Sequence, residues 1–349
     1  MGFDLGVIEG RYLRDLLDQP RALEDTLETM ESSQRLSDLA SRLNHGRFHR
    51  IVLTGMGSSF HALHPLNLQL IRHGFTVVMV ETSELIHYQG HLFDPNTLMV
   101  AVSQSGQSAE MVRLTAVNRK RSTVIAVTNT PRSPLAERAA VTLFTQAGQE
   151  SSVSCKTYVT ALMTLKWLGD TLCERNERQS RRELRNASPA VATYLSSWQG
   201  HVTSMTEMLS GIRHLFLVGR GASLAAVGTG ALIIKESDHF PAEGMSSAAF
   251  RHGPFEMLNE EILVVVFSGD DKTCDLNHRL LADIRQARGR AELVSETALL
   301  KCLRLPNHGE SIRAIVEVLP IQMVTLALAA VAGREPGKFD LASKVTTTE

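Results

Sequence analysis

Apolar residues change their spacing along the chain. Between residues 11 and 44 they stand at helical intervals (Leu13, Leu16, Leu17, Leu23, Leu27, Met30, Leu36, Leu39, Leu43) in a polar stretch interrupted by Pro20. This predicts two amphipathic helices. From residue 51 the pattern becomes short unbroken runs: Ile51-Val52-Leu53, Val77 to Val80, Leu98 to Val102, Thr123 to Val127 and Val141 to Phe144. The runs are rich in β-branched residues and separated by helix-sized intervals. Strands covered by helices on both faces carry this signature, so an α/β fold with a parallel sheet is expected.

The pattern then recurs. Leu215 to Ser223 (LFLVGRGAS) mirrors Ile51 to Ser59 (IVLTGMGSS), and Val264 to Val266 mirrors Val100 to Val102, both at an offset of 164 positions. A constant offset over separate strands indicates tandem duplication of one α/β unit. The expected organisation is a helical lead-in over 1–34, a first domain over 35–173, a helical connection over 174–200 and a second domain over 201–349. Segment 314–332 is strongly apolar, but Glu317, Pro320 and Gln322 within it suit a buried core helix better than a membrane span.

Composition narrows the function. With 349 residues, 43% of them apolar and 21% charged, the chain can bury a substantial core. Thirty-six basic and 37 acidic side chains leave a net charge of −1, so no strong field exists to attract nucleic acid or an anionic membrane. The basic run at 118–122 holds only three charges and reads as a solvated helix end. Cys155, Cys173, Cys274 and Cys302 show no metal-binding spacing and read as free thiols of a reducing, cytoplasmic compartment. The opening MGFDLGVIEG lacks the marks of a signal peptide.

Candidate chemistry begins where the third run ends, in Ser103-Gln104-Ser105-Gly106-Gln107-Ser108, followed by a helix-like Ala109-Glu110-Met111-Val112. Ligands of open α/β sheets bind beyond the carboxyl ends of strands, and a helix N-terminus there offers free N–H groups to an anion. Three hydroxyls with those N–H groups suit a phosphate; the stretch also reads as an ordinary Ser/Gly turn and cap. The second copy has Ser268-Gly269-Asp270-Asp271 instead, whose carboxylates would repel an anion, so one anion site per chain is expected. The glycine loops at 55–59 and 219–223 lack the third glycine of a dinucleotide fingerprint, where Phe60 and Leu224 stand.

Taken in order, Gly57-Ser58-Ser59, the 103–108 loop, Glu150-x-x-Val153, Lys235-Glu236, Ala242-Glu243, Arg251-His252-Gly253-Pro254 and Leu341-Ala342-Ser343-Lys344-Val345-Thr346 resemble the tandem sugar isomerase (SIS) domains of the glutamine–fructose-6-phosphate amidotransferase family. The resemblance runs from about residue 35 nearly to the end and includes the 16 positions between Glu236 and His252. It implies two flavodoxin-like, three-layer α/β/α domains, a sugar-phosphate ligand, no metal or organic cofactor and a homodimer.

Residue by residue, the resemblance gives Ser58, Ser59, Ser103, Gln104, Ser105 and Ser108 to the phosphate sugar, and Val153 and Cys155 to contacts with the sugar. Glu236 falls on the base that moves a proton between C1 and C2, a task that burial on its apolar helix would assist. Read alone, Lys235-Glu236 is also an ordinary surface pair. His252 falls on the residue that assists ring opening, supplied across the dimer interface; alone it reads as a loop histidine before Gly253-Pro254. Lys344 falls one position away from the family's C-terminal lysine and is either a substrate partner or solvent-facing. Departures are Cys155 in place of Ser, Ser108 in place of Thr, and Ile233 in place of a lysine one turn before the base.

The chain opens on MGFDL rather than on a glutaminase cysteine, so no ammonia production from glutamine is expected. The expectation is an enzyme acting on a hexose or hexosamine 6-phosphate through an enediol or enolamine, as an amino-sugar-phosphate deaminase or a fructosamine-phosphate deglycase. Simple aldose–ketose isomerisation and a non-catalytic sugar-phosphate sensor are the alternatives.

Overall fold

A computed structural model describes residues 5–119, 121–341 and 343–348. Lys120 of the basic run, Ala342 of the C-terminal motif and most of the opening MGFDL lie outside these described residues. The chain forms two units, each around one parallel sheet. The first-sheet unit comprises Arg21–Gln149, Lys156–Arg185 and the segment from Leu341 onward. The second-sheet unit comprises the residues up to Pro20, Glu150–Cys155 and Asn186–Asp340.

In the first-sheet unit the apolar runs become β1 (Arg50–Gly55), β2 (Val77–Glu81), β3 (Thr97–Val102), β4 (Thr123–Thr128) and β5 (Val141–Phe144), all parallel, in the order β2-β1-β3-β4-β5. Alternate residues fill opposite faces. Val52, Met99, Ala101 and Ala126 pack against Leu85, Met111, Leu114 and Leu135 on one side. Ile51, Leu53, Val100 and Ile125, also fully buried, face the other side. Both faces are covered, which is why these strands lack polar alternation.

The second-sheet unit repeats the plan with β6 (His214–Gly219), β7 (Ala242–Ser246), β8 (Ile262–Phe267) and β9 (Arg290–Val294), in the order β7-β6-β8-β9. Phe216, Val218, Val264 and Val266 pack with Phe250, Leu280 and Ile284. The structure corrects the repeat register. His214 opens β6 164 positions after Arg50 opens β1, but Ile262 opens β8 165 positions after Thr97 opens β3. The second copy carries one extra residue between these strands, so Val265 rather than Val264 is the counterpart of Val100. Three consecutive valines concealed the shift, because either register buries an apolar run.

The N-terminal stretch forms three helices rather than two: Arg11–Leu17, Gln19–Thr29 and Gln34–Asn44. Pro20 sits in the first turn of the second, where a missing N–H costs nothing, so it starts a helix. The further break lies at Ser33, whose hydroxyl caps the third helix by accepting from Leu36 N at 3.2 Å. Segment 174–200 is helical, as Glu177–Leu184, Ala187–Leu195 and the start of Trp198–Met208. The apolar stretch Glu310–Ala332 is long and apolar enough to cross a membrane, yet 89% of its most apolar window is buried within the protein. Its helix Leu319–Ala332 is core, and Gln322 in it is satisfied by reciprocal amide bonds to Gln19 at 2.9 and 3.0 Å.

Candidate active site

Strand order decides where a ligand can sit. In the first sheet the order in which strands are added reverses at β1 and β3, which run parallel and side by side with Gly55 opposite Val102. Such a switch point leaves an open crevice at the carboxyl ends of the two strands. Ser58 and Ser59 lie on the short helix Gly57–His61 that follows β1, and Ser103 to Ser108 follow β3 directly. The fold therefore brings both serine clusters to one crevice.

The 103–108 loop is held from beneath. Gln104 O accepts from Asn129 N (3.0 Å), Thr128 Oγ1 (3.2 Å) and Thr130 Oγ1 (3.3 Å), and Leu135 N donates to Gly106 O (3.2 Å). Gly106 adopts φ +63°, and a Cβ there would stand 2.2 Å from Ser133 Oγ, so only glycine fits. Ser103 Oγ accepts from Gly106 N (3.1 Å) and Ser105 Oγ from Gln107 N (3.3 Å). A hydroxyl that accepts from the backbone keeps its own O–H for a ligand oxygen. These two buried serines thus shape the loop and still offer donors. Ser108 is the N-cap residue of helix Ala109–Asn118, but its side chain makes no capping bond. An ordinary serine cap would be engaged; this hydroxyl is left for another partner.

The C-terminal tail reaches the same place. Ala109 N, at the start of that helix, donates to Thr346 O at 3.1 Å. This anchors half-buried Lys344 in the unit that carries the loop. After Ser59 come Phe60, His61 and His64, with the two imidazoles stacked at 6.2 Å and Phe60 edge-on to both. Burial pushes the His64 imidazole below its usual range.

The duplicate switch point, between β6 and β8, is filled from within. Ser223, the counterpart of Ser59, donates to Glu317 Oε1 at 2.8 Å, and Arg313 Nη1 donates to Gly269 O at 2.9 Å. Glu317 is fully buried, and burial pushes its carboxyl up to about 7 against the opposing pull of Ser223 and Arg313. The expectation of a single anion crevice rested on Asp270 and Asp271; Glu317, distant in sequence, was not part of it.

The remaining candidates belong to the second-sheet unit. Glu236 is half-buried in the last turn of helix Leu224–Asp238, beside exposed Lys235, and the chain leaves the helix at His239 with φ 52°. The carboxylate is less enclosed than its apolar neighbours Ile233 and Ile234 suggested, because the apolar face ends before it. Val153 and Cys155 are fully buried. Glu150 Oε1 accepts both Cys155 N (3.0 Å) and Cys155 Sγ (3.3 Å). Gly337 N donates to Ser237 Oγ (2.9 Å) and lies against Ser152 and Tyr12, which ties segment 150–155 to the end of the Glu236 helix. Tyr12, buried and hydrogen-bonded to Thr325 at 3.1 Å, is a supporting residue that sequence reasoning missed. Its only signal was a lone aromatic on an otherwise aliphatic stripe. His252 closes helix Ser247–Arg251 and is exposed.

Residues 47–169 and 208–332 each match the SIS domain family. The chain belongs to the SIS domain family. The two matches coincide with the two sheets. It is 28% identical over 355 aligned positions to the glutamine–fructose-6-phosphate aminotransferase of Thermococcus kodakarensis, covering 97% of the chain and 58% of that relative. It thus spans somewhat over half the length of the curated relatives it matches. In fold it resembles the C-terminal domain of the Francisella tularensis glucosamine-fructose-6-phosphate aminotransferase (TM-score 0.81, 20% identity, 97% and 98% of the chains). It also resembles a Thermotoga maritima glucosamine-6-phosphate deaminase (TM-score 0.77, 17% identity, 97% and 100% of the chains).

Proposed function

We propose that this SIS protein binds a hexose or hexosamine 6-phosphate through Ser58, Ser59, Ser103, Gln104, Ser105 and Ser108. In this reading it moves a proton between C1 and C2 of the open-chain sugar, releasing nitrogen as a deaminase or a deglycase. The observation that carries the reading is the 103–108 loop: a crevice at the switch point, with hydroxyl donors left over and no hydroxyl cap on the helix behind it. The choice of nitrogen release rests on the likeness to amino-sugar relatives, the aminotransferases that match 97% of the chain.

In this reading His252 transfers the proton that opens the ring, and Glu236 takes the proton from C2 of a 2-amino aldose and returns it to C1. The enolamine becomes a C2 imine, water adds, and ammonia leaves with fructose 6-phosphate as the other product. For an N-substituted fructosamine phosphate the proton moves from C1 to C2, and hydrolysis of the C1 imine releases the amine and glucose 6-phosphate. Lys344 stands for the cationic partner of the open-chain oxygen, and Val153 and Cys155 line the sugar. His252, exposed on one copy, serves the crevice of a second copy in a homodimer.

The test is ammonia or amine release from glucosamine 6-phosphate and from fructosamine 6-phosphates, with Glu236→Gln as the control. Release by the native chain that falls at least roughly 100-fold in the variant, as expected for a lost general base, supports the reading. Tight binding of fructose 6-phosphate with no turnover of any of these sugars would mark a sensor instead.

A further inference from the structure

Helices Ala109–Asn118 and Pro134–Arg138 enclose, with the start of β4, a cavity of about 250 Å³. Its floor is apolar: Leu114, Val124, Leu135 and Ala139. Its rim carries Arg119 and Arg138, and no carboxylate lines it among the described residues. Asn118 also borders it, but its amide is consumed locally, donating to Ser122 O (3.1 Å) and accepting from Ser122 N (3.0 Å). Arg138 gives one guanidinium nitrogen to Thr115 O at 3.2 Å and keeps its other donors. Thr115 completes the lining and donates its hydroxyl to Val112 O (2.8 Å), so the charged groups at the rim are two cations. Such a chamber selects a ligand with an apolar body and one anionic group.

The position matters as much as the chemistry. Val124 stands near the amino end of β4, so the cavity opens at the sheet edge opposite the 103–108 loop. Both enclosing helices nevertheless end on that loop. One begins directly after Ser108, and the other donates Leu135 N to Gly106 O and presses its cap, Ser133, into the space beside Gly106. A ligand that moves either helix must therefore move the loop, since packed helices shift as rigid bodies.

We propose that this cavity is an effector site for a small aryl or branched-alkyl carboxylate, and that its occupancy changes the order of the 103–108 loop. The probe is 3-phenylpropionate, titrated calorimetrically into the full chain, with 3-phenylpropanol as its neutral analogue. Hydrogen exchange of the amides of residues 103–108, where Gly106 and Gln107 are protected by serine hydroxyls, reads the coupling. Saturable binding of the acid is expected, at least tenfold weaker for the alcohol and for the exposed-site double variant Arg119→Gln/Arg138→Gln, and lost in Ala139→Leu. Exchange in 103–108 should change at least threefold on saturation. No saturable binding, or binding indifferent to both variants, overturns the site. Binding without any change in loop exchange overturns the effector role. Neither readout uses a sugar phosphate, so failure here is distinct from failure of the proposed reaction.

Discussion

Glu317 carries a carboxyl group that the interior of the protein holds well above its ordinary range. Its carboxyl is fully buried and shifted from 4.5 to about 7, so the folded state binds its proton more tightly than the unfolded state does. Stability from this group is therefore greatest below about pH 4.5 and falls as pH rises through 7, by about 3 kcal/mol in all. Glu317→Gln keeps an acceptor for Ser223 and removes the charge. It should raise the unfolding free energy at pH 8 by about that amount and change it little at pH 5, as measured by urea unfolding at the two pH values. Gly106 is the opposite case, a residue defined by what it lacks. Gly106→Ala would force a Cβ into Ser133 at a positive φ, and phosphate-sugar affinity should fall at least tenfold, read by calorimetry with fructose 6-phosphate. The serines of the loop were legible in the sequence as hydroxyls after a strand. Which of them shape the loop and which stay uncapped was not, because that depends on partners at Val127 to Leu135 brought in by β4 and the helix beyond it.

At the scale of elements, β1 to β6 and β8 were legible as apolar runs, whereas β7 and β9, which carry half-buried or exposed positions and polar residues, were not. Register was also less legible. The extra residue in the second copy escaped notice where Val264, Val265 and Val266 are interchangeable to any apolar count. Pro20 misled for a related reason: proline interrupts a helix interior but is compatible with a first turn, and only the hydrogen-bond ladder distinguishes the two. The helix bearing Glu236 is fixed by close approach to β7, where a Cβ on Gly244 would stand 2.4 Å from Val227 O. The obstacle is backbone and cannot rotate away. Gly244→Ala should cost roughly 1–3 kcal/mol of stability and, by displacing the helix, lower turnover more than it lowers phosphate affinity. Steady-state kinetics beside a binding titration separates the two.

At the scale of the whole molecule, the proposed site draws on residues far apart in the chain, and the proposed dimer draws on two chains. If His252 serves the partner's crevice, mixing Glu236→Gln with His252→Ala should restore activity that neither variant has alone. Random exchange of subunits gives about a quarter of the native rate; no recovery after verified exchange would mean each chain supplies both groups to its own site. The sequence by itself determined the α/β class, the duplication and the strand ends from which the serine loop springs, because burial on both faces and the turn chemistry of Ser and Gly are written in local composition. Only the tertiary structure decided that Glu317 fills the duplicate crevice, that Tyr12 and Gly337 brace the segment holding Cys155, that the tail caps Ala109 through Thr346, and that residues up to Pro20 join the second sheet while those after it join the first. Those contacts join positions tens to hundreds of residues apart. No local pattern of hydrophobic and polar positions encodes such a pairing, since each partner is satisfied equally well by many others until the fold selects one.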